Sequence, residues 1–474
     1  MRAHQRDAQA KSRGRPTVSS LKFRDRLQEF FYYPKLSREE DSITDVPRFT
    51  SYLDLPADDR PVLVYLHIPF CDYLCHFCPF LKTLNQSTSR MEKELFFDAL
   101  VTEIRRYGRS EFFDGRAVEW VEFGGGTPTS VEPEFIEAVF TALRESFDLS
   151  GNPLITMEGD ALTLKDEAKL RTFRDLGVNR VSFGVQTFKG DLRRKLGLKP
   201  TPADIRAAVS EIRRAGIPEF AIDLLYNLPD QTMDTLRDDI AQGCSLEPDY
   251  IDTYALTLWE NTWFKRTVEE SDRFSLKPSN ERNIRMFEVM RDSLRERGYD
   301  AEHSYMFARR GVPHRYVDQV KGHLLGGGHI LGLGPSSRGY VAGRQYVNTS
   351  SIGGYVSALQ GGTLPISAGT ECSPLEQAHR LMVMFPSLLQ EIEVGSIPHP
   401  ELFAADIARM KTAGLLIEED GLLKTTDTGM TWAGNVSRIF FSADQKAKMT
   451  RTHLLSLRER LNPYNQDSAG VPGR

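Results

Sequence analysis

Val62-Leu-Val-Tyr65-Leu-His67-Ile-Pro-Phe-Cys71-Asp-Tyr-Leu-Cys75-His-Phe-Cys78 joins an apolar, β-branched run to three cysteines spaced C-x-x-x-C-x-x-C. The run Val62 to Leu66 predicts a buried strand, which places the cysteines on the loop just after its C-terminal end. Three thiolates on one short loop suit an iron–sulfur cluster. A cubane has four ligand positions, so three cysteines leave one iron free for a small molecule. An open iron implies chemistry rather than electron storage alone. A structural zinc knuckle and a disulfide framework compete for the same triplet. Neither finds its remaining partners: no fourth cysteine or nearby Cys/His pair completes a tetrahedral site, and His67 and His76 stand at no usual zinc spacing.

Outward from this stretch, 474 residues are enough for a catalytic domain and a smaller companion. We expect a lead-in over 1–50, a catalytic domain over 51–345 and a C-terminal domain over 346–474. A net charge of -5 leaves no global footprint for nucleic acid or membrane and favours a small-molecule substrate. Five cysteines, three of them clustered, suit a reducing compartment, and Cys244 and Cys372 read as ordinary thiols. No apolar run has membrane-spanning length, and Met1-Arg-Ala-His-Gln-Arg lacks a signal peptide's apolar centre, so a cytoplasmic enzyme is expected. The segment up to Ser20 is rich in Arg, Lys, Gln and Ser and reads as a disordered tail.

From Val62 onward, apolar runs alternate with amphipathic stretches, which predicts an α/β fold: a parallel β/α barrel, partial or full. Strands are expected near 62–67, 118–123, 154–158, 180–184, 220–225 and 250–256, and helices near 91–107, 133–147, 166–176, 202–215 and 233–246. In the first helix Leu95, Phe96, Ala99, Leu100 and Ile104 recur as a core-facing stripe. The glycine-rich stretch through Gly326-Gly-Gly-His-Ile-Leu-Gly-Leu-Gly-Pro335 reads as a cap over the barrel mouth. A phosphate-cradling loop is the rival, but no Gly-Lys-Ser/Thr ending is present. Beyond Cys372, helices near 374–389 and 402–413 and two apolar runs around Glu419-Asp-Gly421 predict a C-terminal helical, winged-helix-like domain. Its hairpin is acidic, which argues against DNA contact.

Working residues of β/α barrels sit on loops at the C-terminal ends of strands. Glu122-Phe-Gly124-Gly-Gly-Thr127 follows an expected strand, and its glycines let backbone amides approach a charged ligand. Glu158, Gln186 and Asp223 end or occupy the next expected strands. Each has a structural reading as a loop cap or a partner of Arg180 or Arg193, and a functional one facing the ligand. Asp72, Tyr73, His76 and His329 are candidates for moving a proton.

Together these segments, with Tyr65-x-His-Ile-Pro-Phe-Cys71, resemble the radical S-adenosylmethionine (SAM) superfamily, and specifically its HemN-like branch. The resemblance runs from Arg48, in Pro-Arg-Phe-Thr-Ser-Tyr, to about Phe441. It implies a [4Fe-4S] cluster on Cys71, Cys75 and Cys78, whose free iron chelates SAM. One electron, from a flavodoxin- or ferredoxin-type reductant, then cleaves SAM to methionine and a 5′-deoxyadenosyl radical. It also implies that Gly125, Gly126 and Thr127 meet the methionine part of SAM. Glu158, Gln186 and Asp223 would contact SAM, including a second molecule, with further contacts at Tyr65, Phe77 and Thr257. The Leu-Gly-Leu-Gly-Pro segment and the C-terminal pattern also resemble this branch, where the latter covers substrate. Three departures bear on the reaction. The coproporphyrinogen III dehydrogenase carries a fourth cysteine where this chain has Phe80 and an arginine where it has Leu198. Haem-delivering relatives carry His-Asn-x-x-Tyr-Trp where this chain has His314-Arg-Tyr-Val. They lead us to expect a class C methyltransferase or cyclopropanase of natural-product biosynthesis, transferring a C1 unit from a second SAM. Oxidative decarboxylation of coproporphyrinogen III and haem delivery are the alternatives.

Overall fold

The computed structural model describes residues 21–450 apart from 22, 24, 28–31, 38–39, 260–262, 271 and 326. The tail up to Ser20 lies outside them.

Six parallel strands follow one another in space as in sequence: β1 Val62–Ile68, β2 Trp120–Gly125, β3 Leu154–Gly159, β4 Arg180–Gln186, β5 Glu219–Tyr226 and β6 Tyr250–Ala255. Helices α1 Arg90–Gly108, α2 Pro133–Ser146, α3 Glu167–Leu176, α4 Gly190–Leu196, α5 Pro202–Ala215 and α6 Met233–Ser245 connect them. Local chemistry sets their ends. Thr201 and Asp204 form a capping box ahead of Pro202, and Gly216 closes α5 in the left-handed conformation. In α1, Phe96, Ala99, Leu100 and Ile104 are buried as expected, but Leu95 is 41% exposed. The inward stripe instead includes Glu103 and Tyr107, because Glu103 accepts hydrogen bonds from the Gly334 amide, Asn348 and Tyr355 inside the core.

Beyond β6 the sheet continues with β7 Tyr299–Ala301, β8 Met306–Arg309, β9 His329–Leu333, β10 Arg338–Val341, β11 Arg344–Asn348 and β12 Ile366–Glu371. The order is β12-β11-β10-β9-β1-β2-β3-β4-β5-β6-β8-β7, twelve strands. Strand β8 runs antiparallel to β6, and β9 is parallel to β1 on its other side. The barrel is therefore partial. The glycine-rich stretch is not a cap: its Ile330, Leu331 and Leu333 make a strand of the sheet itself. Its glycines serve close packing, since a Cβ on Gly334 would lie 2.5 Å from the His67 carbonyl oxygen. The expected boundary at 345/346 falls inside β11.

Strand alternation sorts the residues. Val64, Leu66, Val121, Phe123, Ile155 and Met157 join the apolar core shared with α1 and α2. Their alternates Tyr65, Glu122, Thr156, Glu158 and Arg180 face the lumen. At the N-terminal ends of the strands, the lumen-side residues Leu63, Trp120 and Leu154 enter a second core with Met382, Val383 and Phe385 of α7 Pro374–Leu388. The C-terminal region, with its three-stranded sheet around the hairpin Leu416–Glu419 and Leu422–Thr425, thus packs its core under the barrel floor. These apolar floor residues need a partner, and α7 supplies it.

Candidate active site

The cysteines leave the C-terminal end of β1. Residues Phe70–Cys71 pair with Thr83–Leu84, so the loop between them closes on itself. Lys82 donates to the Cys78 carbonyl, and Asn85 ties Asp72 to Ser130. His76 packs the other side of the loop onto α4: its amide donates to the Leu196 carbonyl at 3.0 Å, and its Nδ1 lies 3.1 Å from the Lys195 carbonyl. Gly197 admits it, since a Cβ there would sit 2.8 Å from the imidazole.

The thiols lie within electrostatic reach of one another. Burial pushes Cys71 up to about 11, partly offset by the Thr127 hydroxyl 3.5 Å from its sulfur, and pushes Cys75 higher still, with Cys78 adding to both. Buried thiols this close become ligands only when cations take the place of their protons. Among the described residues no group of three His, Cys, Asp or Glu gathers round a single ion. A polynuclear cluster with one iron per cysteine fits this donor set.

Next to the triplet, the glycine turn is built against His67. Gly125 has φ +112, and a Cβ on it would lie 2.8 Å from the His67 Nδ1. A Cβ on Gly126 would meet the Phe70 carbonyl oxygen at 2.7 Å. His67 keeps its ring fixed between the Tyr65 hydroxyl, 3.3 Å from Nδ1, and the Leu81 carbonyl, 3.0 Å from Nε2. The carbonyl can only accept, so Nε2 carries the proton in this assignment. Burial holds His67 neutral, at about 4. Glu158 accepts from the Gly125 amide at 3.2 Å, joining the end of β3 to this turn.

Gln186 sits at a bulge ending β4, with φ +66 and a register shift after Gly184. Its amide folds back over Gly184, where a Cβ would come 2.3 Å from Nε2, and its Oε1 is buried without a partner. Arg193 holds this loop, donating to the carbonyls of Val185, Thr187 and Pro200 at 2.6, 2.7 and 2.7 Å. Asp223 lies inside β5 rather than at its end, level with Gly184 of β4 and Asp252 of β6. Thr257 follows β6, and Phe77 packs with Cys75 and Leu198 against Leu192, Leu225 and Leu228. The cysteines, the glycine turn, Tyr65, Glu158, Gln186, Asp223, Phe77 and Thr257 thus all lie on β1 to β6 or on the loops they feed.

The proton candidates separate. The Tyr73 hydroxyl donates to Asp160 at 2.5 Å beside the cysteines. Asp72 and His76 are tied up in the loop as described. His329 is corrected out of the site: it begins β9 at the opposite end of the barrel, with Nε2 2.8 Å from Asp58.

Sequence reasoning missed Glu122 and Asp252 and did not find what faces Arg180. With Glu158 and Asp223, these put four carboxyl groups in the lumen. Burial pushes Glu122 up to about 7, with Arg180 opposing it. Burial, then Glu122 and Asp223, pushes Glu158 up to about 8. Asp223 and Asp252 are pushed up as well, by burial first. The available signal was a carboxylate at an alternating position within an otherwise apolar strand, in Trp120–Gly125 and again in Tyr250–Ala255. A surface depression of about 510 Å³ lined by Gly115, Arg144 and Asp148 lies at the other end of the strands and belongs to none of this chemistry.

The model of the radical SAM superfamily matches residues 65–242, from Tyr65 through α1 to α5 and nearly all of α6. The chain carries a radical SAM domain of the HemN-like kind. It is 29% identical over 300 residues to the Lactococcus lactis haem chaperone HemW, covering 63% of this chain and 75% of the relative. It is 26% identical over 425 residues to the Pseudomonas aeruginosa oxygen-independent coproporphyrinogen III oxidase, covering 82% and 89%. The solved structure of Escherichia coli coproporphyrinogen III oxidase, HemN, shares the fold with a TM-score of 0.74 at 22% identity, covering 87% of this chain and 97% of that one. Residues 65–242 thus carry a radical SAM domain, and the chain's relatives are HemN-like. This family implies a [4Fe-4S] cluster and SAM, and the triplet and glycine turn fit both. Among the described residues no helix is long and apolar enough to cross a membrane.

Proposed function

We propose that this enzyme acts on a tetrapyrrole and that its reaction is the oxidative decarboxylation of coproporphyrinogen III. The supporting observation is the extent of likeness to the Pseudomonas aeruginosa oxidase, which spans 425 residues and so reaches well beyond the SAM-cleaving segment. The rim also suits a polycarboxylate. Helix α4 beside the cysteine loop carries Arg194, and Lys199 follows it, both exposed to solvent. When bound, the cluster and SAM would supply the radical that starts the reaction, with a small flavodoxin- or ferredoxin-type protein as electron source. The chain's own part is placement. Cys71, Cys75 and Cys78 hold the cluster. Gly125, Gly126 and Thr127 leave room for the methionine part of SAM, and His67 keeps that turn in shape. Tyr65, Phe77, Glu158, Gln186, Asp223 and Thr257 line SAM.

A second reading, C1 transfer from a second SAM to an unsaturated or aromatic small molecule, draws on one observation. Leu198 is 7% exposed within an apolar cluster that includes Phe77 and Cys75, so the wall beside the cluster offers no guanidinium to a carboxylate there. Anaerobic turnover of the reconstituted, reduced protein with methyl-labelled SAM and coproporphyrinogen III separates the two. Protoporphyrinogen with 5′-deoxyadenosine supports decarboxylation. Consumption of SAM with no change in coproporphyrinogen overturns it, and S-adenosylhomocysteine rising with a labelled adduct would establish C1 transfer instead. A Soret shift on added haem without turnover would favour the chaperone activity for which the Lactococcus lactis relative is named.

A further inference from the structure

Beside residues assigned to SAM, Glu122 next to Tyr65 and Asp252 next to Asp223, the lumen contains groups that neither reading uses. Glu122, Thr156 and Arg180 stand level on β2, β3 and β4, and Asp252 stands level with Asp223 on the far side. Cross-strand partners point to the same face. All four are in the lumen, because their strand neighbours Val121, Ile155, Val181 and Ile251 belong to the helix-side core.

Two features show that this floor is not a finished structural network. Its polar atoms are unpartnered: the Thr156 hydroxyl, the Asp252 Oδ1 and the Nε and Nη2 of Arg180 are buried with no hydrogen-bond partner, on side chains no more than 6% exposed. Leaving such groups unmet in the folded state costs roughly 1–3 kcal/mol each. The space above them is also open, since Tyr65, Glu122, Glu158, Asp223 and Tyr254 are only half-buried although they lie inside the barrel. A ligand reaching between the strands would meet these atoms.

Charge tells which ligand. Among the described residues the cation that acts on the four carboxyl groups of Glu122, Glu158, Asp223 and Asp252 is Arg180, which Glu219 also draws on, and its guanidinium carbon sits 3.7 Å from the Tyr316 ring centroid. Ionised, they carry an excess of negative charge where water cannot screen it. Burial raises all four, so a cation placed among them would favour their ionised forms. The remaining wall is aromatic: Tyr254 and Tyr305 stack at 5.1 Å. Carboxylates below and tyrosine faces beside them are what a desolvated organic cation requires. An anion would meet like charge, and a bare metal ion lacks a gathered ligand set among the described residues.

We infer that this inner chamber binds a ligand through a protonated amine, with Glu122 and Asp252 as its anionic partners, Thr156 as a hydrogen-bond acceptor and Tyr254 at its flank. The inference goes beyond tetrapyrrole decarboxylation. It gives the lumen a cationic ligand at the floor, while the rim at α4 remains basic.

Calorimetry on the cluster-reconstituted, SAM-bound holoenzyme tests it with three matched probes: benzylamine, benzyl alcohol and benzoate. The expected result is that benzylamine binds at least about tenfold more tightly than either analogue. Glu122→Gln and Asp252→Asn should each remove about that factor for benzylamine and leave benzyl alcohol unchanged. Equal affinity for all three probes in the wild-type protein would overturn the inference, and so would benzylamine binding that both variants retain. If a variant fails to fold, the wild-type comparison of probes decides alone. Deoxyadenosine release is measured in parallel on the wild-type protein. Its absence would strike the radical SAM reading, while the ranking of the three probes would still decide whether the chamber takes an amine.

Discussion

At the scale of single residues, function rests on atoms that tolerate little change. Substituting alanine for Cys71, Cys75 or Cys78 should abolish SAM cleavage, because three thiolates are needed and no other cysteine is near; iron content, visible absorption and deoxyadenosine yield are the measures. Gly125→Ala places a methyl 2.8 Å from the His67 ring at a φ of +112. Strain of this kind costs about 1–3 kcal/mol. We expect a lower urea midpoint and weakened SAM binding, whereas unchanged SAM affinity would show that His67 yields. The lumen carboxyl groups predict a pH dependence. Glu122 and Glu158 are held up to about 7 and about 8, against 4.5 unperturbed. The folded chain therefore keeps their protons to higher pH than the unfolded chain does. Their contribution to stability is complete below about 4.5 and is lost as pH climbs towards about 8. Glu122→Gln should flatten that decline and raise stability at pH 8 by on the order of 2 kcal/mol, read from urea unfolding of the SAM-free protein.

At the scale of elements, Arg193 joins α4 to the end of β4 by three hydrogen bonds to carbonyls, and Asp239 of α6 receives the Thr187 hydroxyl and the Phe188 amide from the same loop. This loop carries Gln186 in its left-handed bulge. Arg193→Met removes three hydrogen bonds, of which only the Val185 carbonyl has a second donor in the Thr187 amide, and should destabilise the protein by about 3 kcal/mol. It should also raise the KM for SAM more than it lowers kcat, since Gln186 moves with the loop; a fall in stability with an unchanged KM would confine Arg193 to structure. The parallel strands and their helices were legible because the two periods differ: short β-branched runs alternate with stripes at helical spacing. Pro202–Ala215 was readable to the residue, because a capping box marks its start and glycine its end. Strand β9 was hidden, since glycine-rich sequence reads as loop when its apolar residues are few. Its pairing with β1 on one side and β10 on the other makes it a strand.

At the scale of the molecule, the barrel floor and the C-terminal region share one core, to which Trp120 of β2 and Met382 and Phe385 of α7 all belong. Trp120→Ala should cost about 3–5 kcal/mol. Because both parts lose packing, thermal unfolding should remain a single transition at lower temperature; two separate transitions would show that the regions fold independently.

The sequence by itself determined the chemistry at the mouth. Cysteine spacing, a glycine triplet and a carboxylate at a strand end are local patterns, and each follows a strand whose period marks its boundary. Tertiary structure alone decided what lies inside. Whether Glu122, Thr156, Arg180 and Asp252 share one chamber depends on strand register, which sets the first three level on neighbouring strands and Asp252 level with Asp223, all on the same face. The same register removed His329 from the site and placed the C-terminal core beneath the floor. Contacts between residues so far apart in the chain leave no period in the sequence, so only the folded sheet shows them.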